Sequence, residues 1–161
     1  MKLLPMPLLS LAIVGLWLVL VSAFTLNSLA MGVIVALAIP LITRSTWPDR
    51  PILRRPWLAI WLFGRVCGDI VAANFVLARQ VLGPLDQIHP LFIEVPLAIE
   101  DPFVATILAS IVTLTPGTLS VDIDIPRRIL LIHAFNARDA AAVSADIKAR
   151  YEAPLKEIFG C

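Results

Sequence analysis

The chain has 161 residues, of which 59% are hydrophobic and 16% are charged, and its mean hydropathy is +0.89. This apolar share exceeds that of a soluble domain of the same size and indicates a membrane protein. The net charge of +1 excludes the basic stripe of a nucleic-acid-binding protein, because such a stripe needs a local excess of Lys and Arg. Cys67 and Cys161 have no metal-type spacing, and we expect both to be free thiols.

Two apolar runs at the start of the chain predict a transmembrane helical hairpin. Residues 8–24 and 27–43 are each about long enough to cross a hydrocarbon core of roughly 30 Å, and a tight turn at 25–28 would join them. Lys2 before an apolar run also fits a signal peptide, but a second apolar run follows where a polar mature sequence would begin. We therefore expect residues 1–56 to hold two spans.

An Arg- and Pro-rich connector, RSTWPDRPILRRP, follows the hairpin at 44–56. Proline fixes φ and removes a hydrogen-bond donor, so the connector is predicted to be an extended loop. Basic residues close to a span stay in the cytoplasm, which places both ends of the hairpin there. The connector arginines are Arg44, Arg50, Arg54 and Arg55.

Residues 57–83 predict a third helix, amphipathic or spanning. Arg65, Asp69 and Arg79 share one stripe at about 100° per residue, and Arg65 and Asp69 are spaced to pair. The helix either lies in the cytoplasmic interface with this stripe toward water, or spans the membrane with the charges facing a partner protein. We prefer the interfacial placement, because it leaves the connector and the C-terminal tail on the same side.

A row of small residues on the same helix favours close packing against another helix, although ordinary small-residue usage would also produce it. The row is Gly64, Gly68 and Ala72.

We interpret the charges of this helix as a docking or interfacial face. A relay for ions needs several ionisable groups in succession across the bilayer, and the hairpin has no charged residue between Lys2 and Arg44.

Residues 88–161 predict a small cytoplasmic α+β domain of order β-α-β-β-α. Alternating apolar residues predict strands at 91–99 and 119–125, and a more continuous apolar run at 129–135 predicts a strand that is central or covered on both faces. The first strand would bury Leu91, Ile93, Val95, Leu97 and Ile99. The second would bury Leu119, Val121, Ile123 and Ile125 and expose Ser120, Asp122 and Asp124.

Two helices complete this domain. The apolar run at 103–114 is too short to span a membrane, and its ends carry the signals of a soluble helix, with Asp101 as N-cap and Pro102 as first residue. The last helix, 139–159, would begin at Asn136 or Asp139. It would bury Val143, Ile147, Tyr151, Leu155 and Ile158. Its polar side would carry Asp146, Lys148, Arg150, Glu152 and Lys156.

The turn between the first of these helices and its strand reads Thr115, Pro116, Gly117 and Thr118. Its backbone N–H groups could bind an anion, but we interpret it as the joint that fixes how the strand leaves the helix. Gly117 is expected to have a backbone conformation that a larger residue tolerates poorly.

Three segments carry a family resemblance: TLTPGTLSVDID at 113–124, ILLIHAF with His133 at 129–135, and DAAAVSADIKARYEAPLKEIF at 139–159. With them, the chain resembles the E subunit of the multisubunit Mrp-type (Mnh/Pha) monovalent cation/proton antiporters over nearly its full length. The resemblance implies an accessory, multi-pass subunit of an inner-membrane complex that exchanges Na+ or K+ for protons in pH homeostasis. Its partners would be the other subunits and membrane lipids, with the ions handled by large subunits.

No residue of the chain is predicted to be catalytic, and we expect no cofactor and no metal site. His133 is a weak candidate for a pH sensor, since histidine titrates near neutral pH, but a lone strand histidine is more often structural. Asp122 and Asp124 could share a cation, although a solvated face is the simpler interpretation. A membrane-anchored regulatory module that binds a small ligand is the alternative function. An enzyme is least expected, because no nucleophile has a base near it in sequence.

Overall fold

The computed structural model describes residues 7–22, 24–43, 52–84 and 88–161. These fall into two units, residues 1–50 and 51–161. Lys2, Arg44 and Arg50, which we used to orient the hairpin, lie outside the described residues. The elements in chain order are α1 (Pro7–Val21), α2 (Leu26–Thr43), α3 (Pro56–Val81), β1 (Leu91–Pro96), α4 (Pro102–Leu114), β2 (Thr118–Asp124), β3 (Ile129–Ala134), α5 (Ala140–Ile147), a π-helical turn (Lys148–Glu152) and α6 (Ala153–Phe159).

The first unit is a helical hairpin. Ser10 Oγ donates a buried hydrogen bond of 2.8 Å to the carbonyl of Ala36, which links α1 to α2. The predicted turn at 25–28 is wrong, because Thr25 is the N-cap of α2: its Oγ1 accepts from the Ser28 amide at 3.2 Å. Of the described helices, α2 and α3 are long and apolar enough to cross a membrane, whereas α1 has 15 residues.

The second unit contains an antiparallel sheet of order β1-β3-β2, so β3 is central as predicted. Helices pack on one face of the sheet, and the side chains that meet them form the core. On β1 and the residues after it these are Ile93, Val95, Leu97 and Ile99, and on β3 they are Leu130, Ile132 and Ala134. The architecture of apolar helices followed by a small α+β region is therefore confirmed.

Strand β2 corrects the prediction. Leu119, Val121 and Ile125 are exposed, and only Ile123 of the expected apolar set packs against the core. Ser120 faces α4, since its Oγ donates to the Ala109 carbonyl at 2.8 Å and its amide donates to the Thr113 hydroxyl at 3.1 Å.

The register shifts between Ser120 and Asp122, which marks a bulge at Val121. A bulge inserts one residue into the alternation and turns the following side chains to the other face. Ile123 therefore points inward although Leu119, four residues earlier, points outward.

Helix α4 has the ends that the sequence predicts. Asp101 Oδ1 accepts from the amides of Phe103 at 2.8 Å and Val104 at 3.2 Å, which satisfies donors that the helix leaves free. At the other end, the Thr118 hydroxyl donates to the carbonyl of Val112 at 2.7 Å. Gly117 has φ +93°, a left-handed conformation that favours glycine.

The last predicted helix is interrupted. A π-helical turn at Lys148–Glu152 separates α5 from α6, and the amide of Ala153 bonds five residues back to the carbonyl of Lys148. Pro154 explains the interruption, since it has no N–H to bond the carbonyl four residues earlier and its ring crowds that carbonyl. Of the residues expected on the polar side, Glu152 is buried, which corrects the prediction. Asp139 is the N-cap of α5.

Helix α3 packs along the sheet domain. Leu62 and Val66 are buried in the same core as the sheet residues, and Leu58, Ala59 and Ile70 pack at its edge. At the start of α3, the Arg54 amide donates to the carbonyl of Ile158 at 2.8 Å. The third helix and the C-terminal domain therefore form one folded unit.

We predict that Gly117→Ala destabilises the region around β2. A Cβ at Gly117 meets no atom within 4 Å, so the cost comes from the positive φ alone. That cost is about 1 kcal/mol, or about fivefold faster amide exchange where local opening governs exchange. Hydrogen–deuterium exchange of β2 and β3 peptides in the full chain measures it. Gly68→Ala, at an equally open but helical position, is the control and should not speed exchange; equal effects of both variants would contradict the prediction.

Candidate functional site: the polar junction between α3 and the C-terminal domain

Asp69 of α3 is the centre of a polar cluster. Its Oδ2 accepts a hydrogen bond of 3.0 Å from the Tyr151 hydroxyl, and its Oδ1 accepts from Arg150 Nη1 at 3.3 Å. The predicted partner, Arg65, is farther away, with 3.9 Å between its Nε and Oδ2 of Asp69. Arg65 instead lies over the ring of Trp61, with 5.3 Å from its Cζ to the ring centroid. Asp69 therefore joins α3 to the last helical segment.

Arg150 reaches Asp69 because a second carboxylate orients it. Its Nε donates to Asp146 Oδ1 at 2.7 Å, one turn earlier on the same helical segment. This hydrogen bond is the main cause that raises the pKa of Arg150, so the guanidinium stays charged. Since Arg150 has donors on two sides of its planar group, it can hold both carboxylates at once.

Tyr151 connects the cluster to the turn that carries the family resemblance. Burial raises the pKa of the Tyr151 phenol, and the hydrogen bond to Asp69 raises it further, whereas a hydrogen bond with Thr115 lowers it. A cleft of about 340 Å³ lies here, lined by Asp69, Tyr151 and the turn residues 115–118 among others. The turn therefore lies beside the Asp69 contact.

Glu152 is the residue of this region that the sequence did not reveal. Its buried carboxylate accepts hydrogen bonds from the amides of Ala98 and Ile99, the latter at 3.2 Å, and its Oε2 lies 3.3 Å from Lys148 Nζ. The loop after β1 is thus fixed to the π-helical turn. The sequence did contain one signal for this, Pro154. A proline inside a predicted helix disrupts the hydrogen bonds of the preceding turn, so the side chains of that turn no longer follow the regular helical pattern.

The remaining predicted residues lie apart from this cluster, except Ala72, which lines the same cleft as Asp69 and Tyr151. Gly64, Gly68 and Ala72 are exposed on α3, and a Cβ at either glycine meets no atom within 4 Å. Arg79 lines an open cleft at the end of α3. His133 lies on β3 with its ring 4.9 Å from that of Phe92.

Asp122 and Asp124 are both on β2. Asp124 Oδ2 accepts from Arg127 Nε at 2.6 Å, so Asp124 is engaged in an ion pair with Arg127. Within the described ranges, no group of three His, Cys, Asp or Glu side chains is arranged to hold a metal ion. Cys67 and Cys161 are both exposed, free thiols.

The chemistry of the polar junction is that of positioning. Each carboxylate of the cluster is held by an arginine, a phenol or a lysine, and Glu152 also by two backbone amides. Such hydrogen-bonded pairs add direction to apolar packing, which has none of its own. The cluster therefore sets how α3 lies on the domain.

Comparisons with known proteins agree over nearly the whole chain. A family model described as Na+/H+ ion antiporter subunit matches residues 10–158. The E subunit of a probable K(+)/H(+) antiporter of Rhizobium meliloti (strain 1021) is 34% identical over 157 residues, covering 96% of both proteins. The E subunit of a Na(+)/H(+) antiporter of Alkalihalophilus pseudofirmus is 28% identical, covering 94% of this chain and 96% of that protein.

The fold is also found among solved structures. A chain of the membrane-bound sulfane sulfur reductase, an archaeal respiratory membrane complex, superimposes with a TM-score of 0.73 at 24% identity. The match covers 94% of this chain and 96% of that chain. The arrangement of helices and sheet described above is therefore also found in a solved membrane complex.

We predict that Tyr151 titrates at higher pH in the native chain than in the denatured chain. Because burial and Asp69 disfavour the phenolate, the contact contributes stability below the ordinary tyrosine pKa of about 10, and this stability is lost as the pH rises through the raised pKa. Tyr151 is the only tyrosine, so ultraviolet tyrosinate absorbance reports it alone.

Asp69→Asn should lower the pKa of Tyr151 part of the way toward its value in the denatured chain. The change is only partial because burial, the larger cause of the raised pKa, remains. Glu157→Gln, at an exposed ion pair with Arg55, is the control and should leave the titration unchanged. The same titration in the native and denatured chains would contradict the prediction.

Proposed function

We propose an assembly role for this chain, which belongs to the Na+/H+ ion antiporter subunit family. In this proposal it is the E subunit of an inner-membrane complex that exchanges Na+ or K+ for protons in cation efflux and pH homeostasis. The observation that carries the proposal is the family match over residues 10–158, supported by antiporter E subunits that match along almost their whole length.

The chain supports other subunits and does not itself conduct ions or catalyse a reaction. The described residues of the hairpin, 7–22 and 24–43, contain no Asp, Glu, Lys, Arg or His. An ion path across lipid needs such groups on inward faces, and the transported ions therefore pass through other subunits. The charged groups of the polar junction support this role, because they are engaged with one another.

Helix α3 lies in the cytoplasmic interface, with the C-terminal domain in the cytoplasm. The domain packs on one side of α3 from its first turn, at Arg54 and Ile158, to Asp69 and Tyr151. If α3 crossed the bilayer, charged side chains of this domain would enter the hydrocarbon core, which is costly. The opposite side of α3 is apolar and exposed, as suits a helix half immersed in lipid. Its large residues are Trp57, Ile60, Phe63, Val71, Phe75 and Leu82.

We predict that the tagged chain, purified from its native membrane, retains large membrane subunits and that Gly68→Leu loses them. Gly68 is exposed and a Cβ there meets no atom within 4 Å, so we expect the leucine variant to fold. If the row of Gly64, Gly68 and Ala72 packs against a partner helix, the added side chain separates the two, and we expect recovery of the partner to fall about tenfold. Quantitative mass spectrometry of the purified material measures this.

Ala78→Leu is the matched control, since Ala78 is exposed on α3 but outside the row. It should leave recovery unchanged. Purification of the wild-type chain without other membrane subunits would refute the proposed function, as would unchanged growth in Na+ or K+ at alkaline pH after deletion of the gene. Equal recovery with Gly68→Leu would refute only the packing role of the row.

A second prediction concerns the placement of α3. Single cysteines at Ile52 and Pro84, which flank the helix, should both react with a membrane-impermeant thiol reagent from the cytoplasmic side. The background is Cys67→Ser and Cys161→Ser, and native Cys161 in a Cys67→Ser chain marks the side of the domain. Reaction of Ile52→Cys and Pro84→Cys from opposite sides would show that α3 spans the membrane.

A further inference from the structure

One face of the sheet is uncovered. The helices pack on the side of Ile93, Leu130 and Ile132, and the register places two rows of side chains on the other side. The first row runs across all three strands as Phe92, His133 and Leu119, and the second as Glu94, Leu131 and Asp122. We name these six residues the open face.

The apolar part of the open face is well exposed. Phe92 is 63% exposed and Leu119 is 50% exposed, although both lie on paired strand positions. The ring of His133 stacks at a tilt against that of Phe92 and leaves most of the Phe92 surface free. Contiguous exposed apolar side chains with a polar rim mark an interaction surface.

The rim of the open face is acidic. Glu94 and Asp122 flank Leu131 from the two neighbouring strands, and both are exposed. Neither has an ion-pair partner among the residues that the structure describes. Arg127 is close enough for both carboxylates to raise its pKa, but its Nε is held by Asp124 at 2.6 Å. The open face therefore presents two uncompensated negative charges around an apolar centre.

We propose that the open face binds a basic segment of another subunit of the antiporter complex, a proposal that rests on the function proposed above. The segment places an aliphatic or aromatic side chain over His133 and Leu131 of the central strand, with Phe92 and Leu119 on either side. Its Lys or Arg side chains pair with Glu94 and Asp122. Apolar contact supplies the main stabilisation, and charge complementarity selects the partner and its orientation.

The acidic rim argues against two other occupants. The cytoplasmic leaflet of a membrane carries a negative surface potential, so it repels a face whose free charges are carboxylates. A second copy of this chain would meet the same patch across a twofold axis, which brings acids close to acids. A basic protein segment is the occupant that both buries the exposed apolar surface and neutralises the negative charge of Glu94 and Asp122.

The occupant can be identified by photocrosslinking within the intact complex. A photoreactive phenylalanine analogue at Leu119 is introduced into the tagged full chain, the complex is purified from its native membrane, and the adduct is sequenced by mass spectrometry. We expect the adduct on a peptide of another subunit, within a few residues of a Lys or Arg. An adduct to lipid, an adduct to a second copy of this chain, or no adduct would overturn the proposal.

Charge reversal tests the role of the rim. The double variant Glu94→Lys, Asp122→Lys should lower recovery of the crosslinked partner about tenfold, because it sets like charges against the basic segment. The neutral variant Glu94→Gln, Asp122→Asn should lower recovery less. Glu100→Lys, Glu157→Lys is the matched control, with the same change of net charge at exposed acids outside the open face, and it should retain the partner.

Two measurements separate the possible failures. The tyrosinate titration and the amide exchange of β3 should match those of the wild-type chain, which shows that the reversed variant is folded. Equal recovery of the partner with the reversed variant and with its control would overturn this proposal and leave the proposed function intact. A wild-type chain that retains no other subunit would overturn both.

Discussion

The packing of α3 against the helices of the C-terminal domain is the contact on which the second unit depends. The C-terminal domain has about seventy residues, and a domain of this size buries a small share of its surface. Leu62 and Val66 of α3 add two side chains to its core, each contributing about 1.5–3 kcal/mol when fully buried. The helix has an apolar face on the far side as well. It therefore completes the core of the C-terminal domain and leaves an apolar face of its own exposed.

A helix that is apolar on two sides needs something to fix its rotation. Apolar packing alone would tolerate a turn of α3 about its axis, because it has little directional preference. Asp69 lies on the side of α3 that faces the domain, and its bonds to Tyr151 and Arg150 fit one rotation. The π-helical turn brings Tyr151 and Glu152, adjacent in sequence, to bond two different elements, α3 and the loop after β1. The π-helical turn thereby helps to place both of these elements.

Local signals predicted much of this fold. The cap at Asp101 and the positive φ of Gly117 follow from side-chain and backbone chemistry within a few residues, and the buried positions of β1 follow from alternation. The central place of β3 follows from its more continuous apolar run. Leu119 was assigned to the core because an apolar residue was assumed to face the protein interior. Ser120 faces α4 instead, because it forms hydrogen bonds with Ala109 and Thr113. These residues precede Ser120 by eleven and seven positions in the sequence.

The polar junction was harder to predict for the same reason. Asp69 and Arg65 are spaced to pair on one helix, and sequence reasoning stopped at that pair, whereas the stronger partners of Asp69 lie more than eighty residues further along. Glu152 looked solvent-exposed because a carboxylate is rarely buried, unless amides and a lysine surround it, as they do here. These partners are set by tertiary structure, which neither periodicity nor capping reveals.

The two apolar surfaces that the second unit leaves uncovered differ in charge. The outer side of α3 has no charge between Trp57 and Phe75 along its centre, which suits lipid and, at the row of Gly64, Gly68 and Ala72, an apolar partner helix. The open face has an apolar centre with Glu94 and Asp122 at its rim, which suits a basic protein segment and opposes an anionic membrane. On the two proposals made above, one compact unit offers one surface to the bilayer and a different one to a protein partner. The carboxylates of the polar junction are already engaged in holding the elements of this chain together. The two uncovered surfaces therefore favour a role in which the chain joins a membrane to a protein partner.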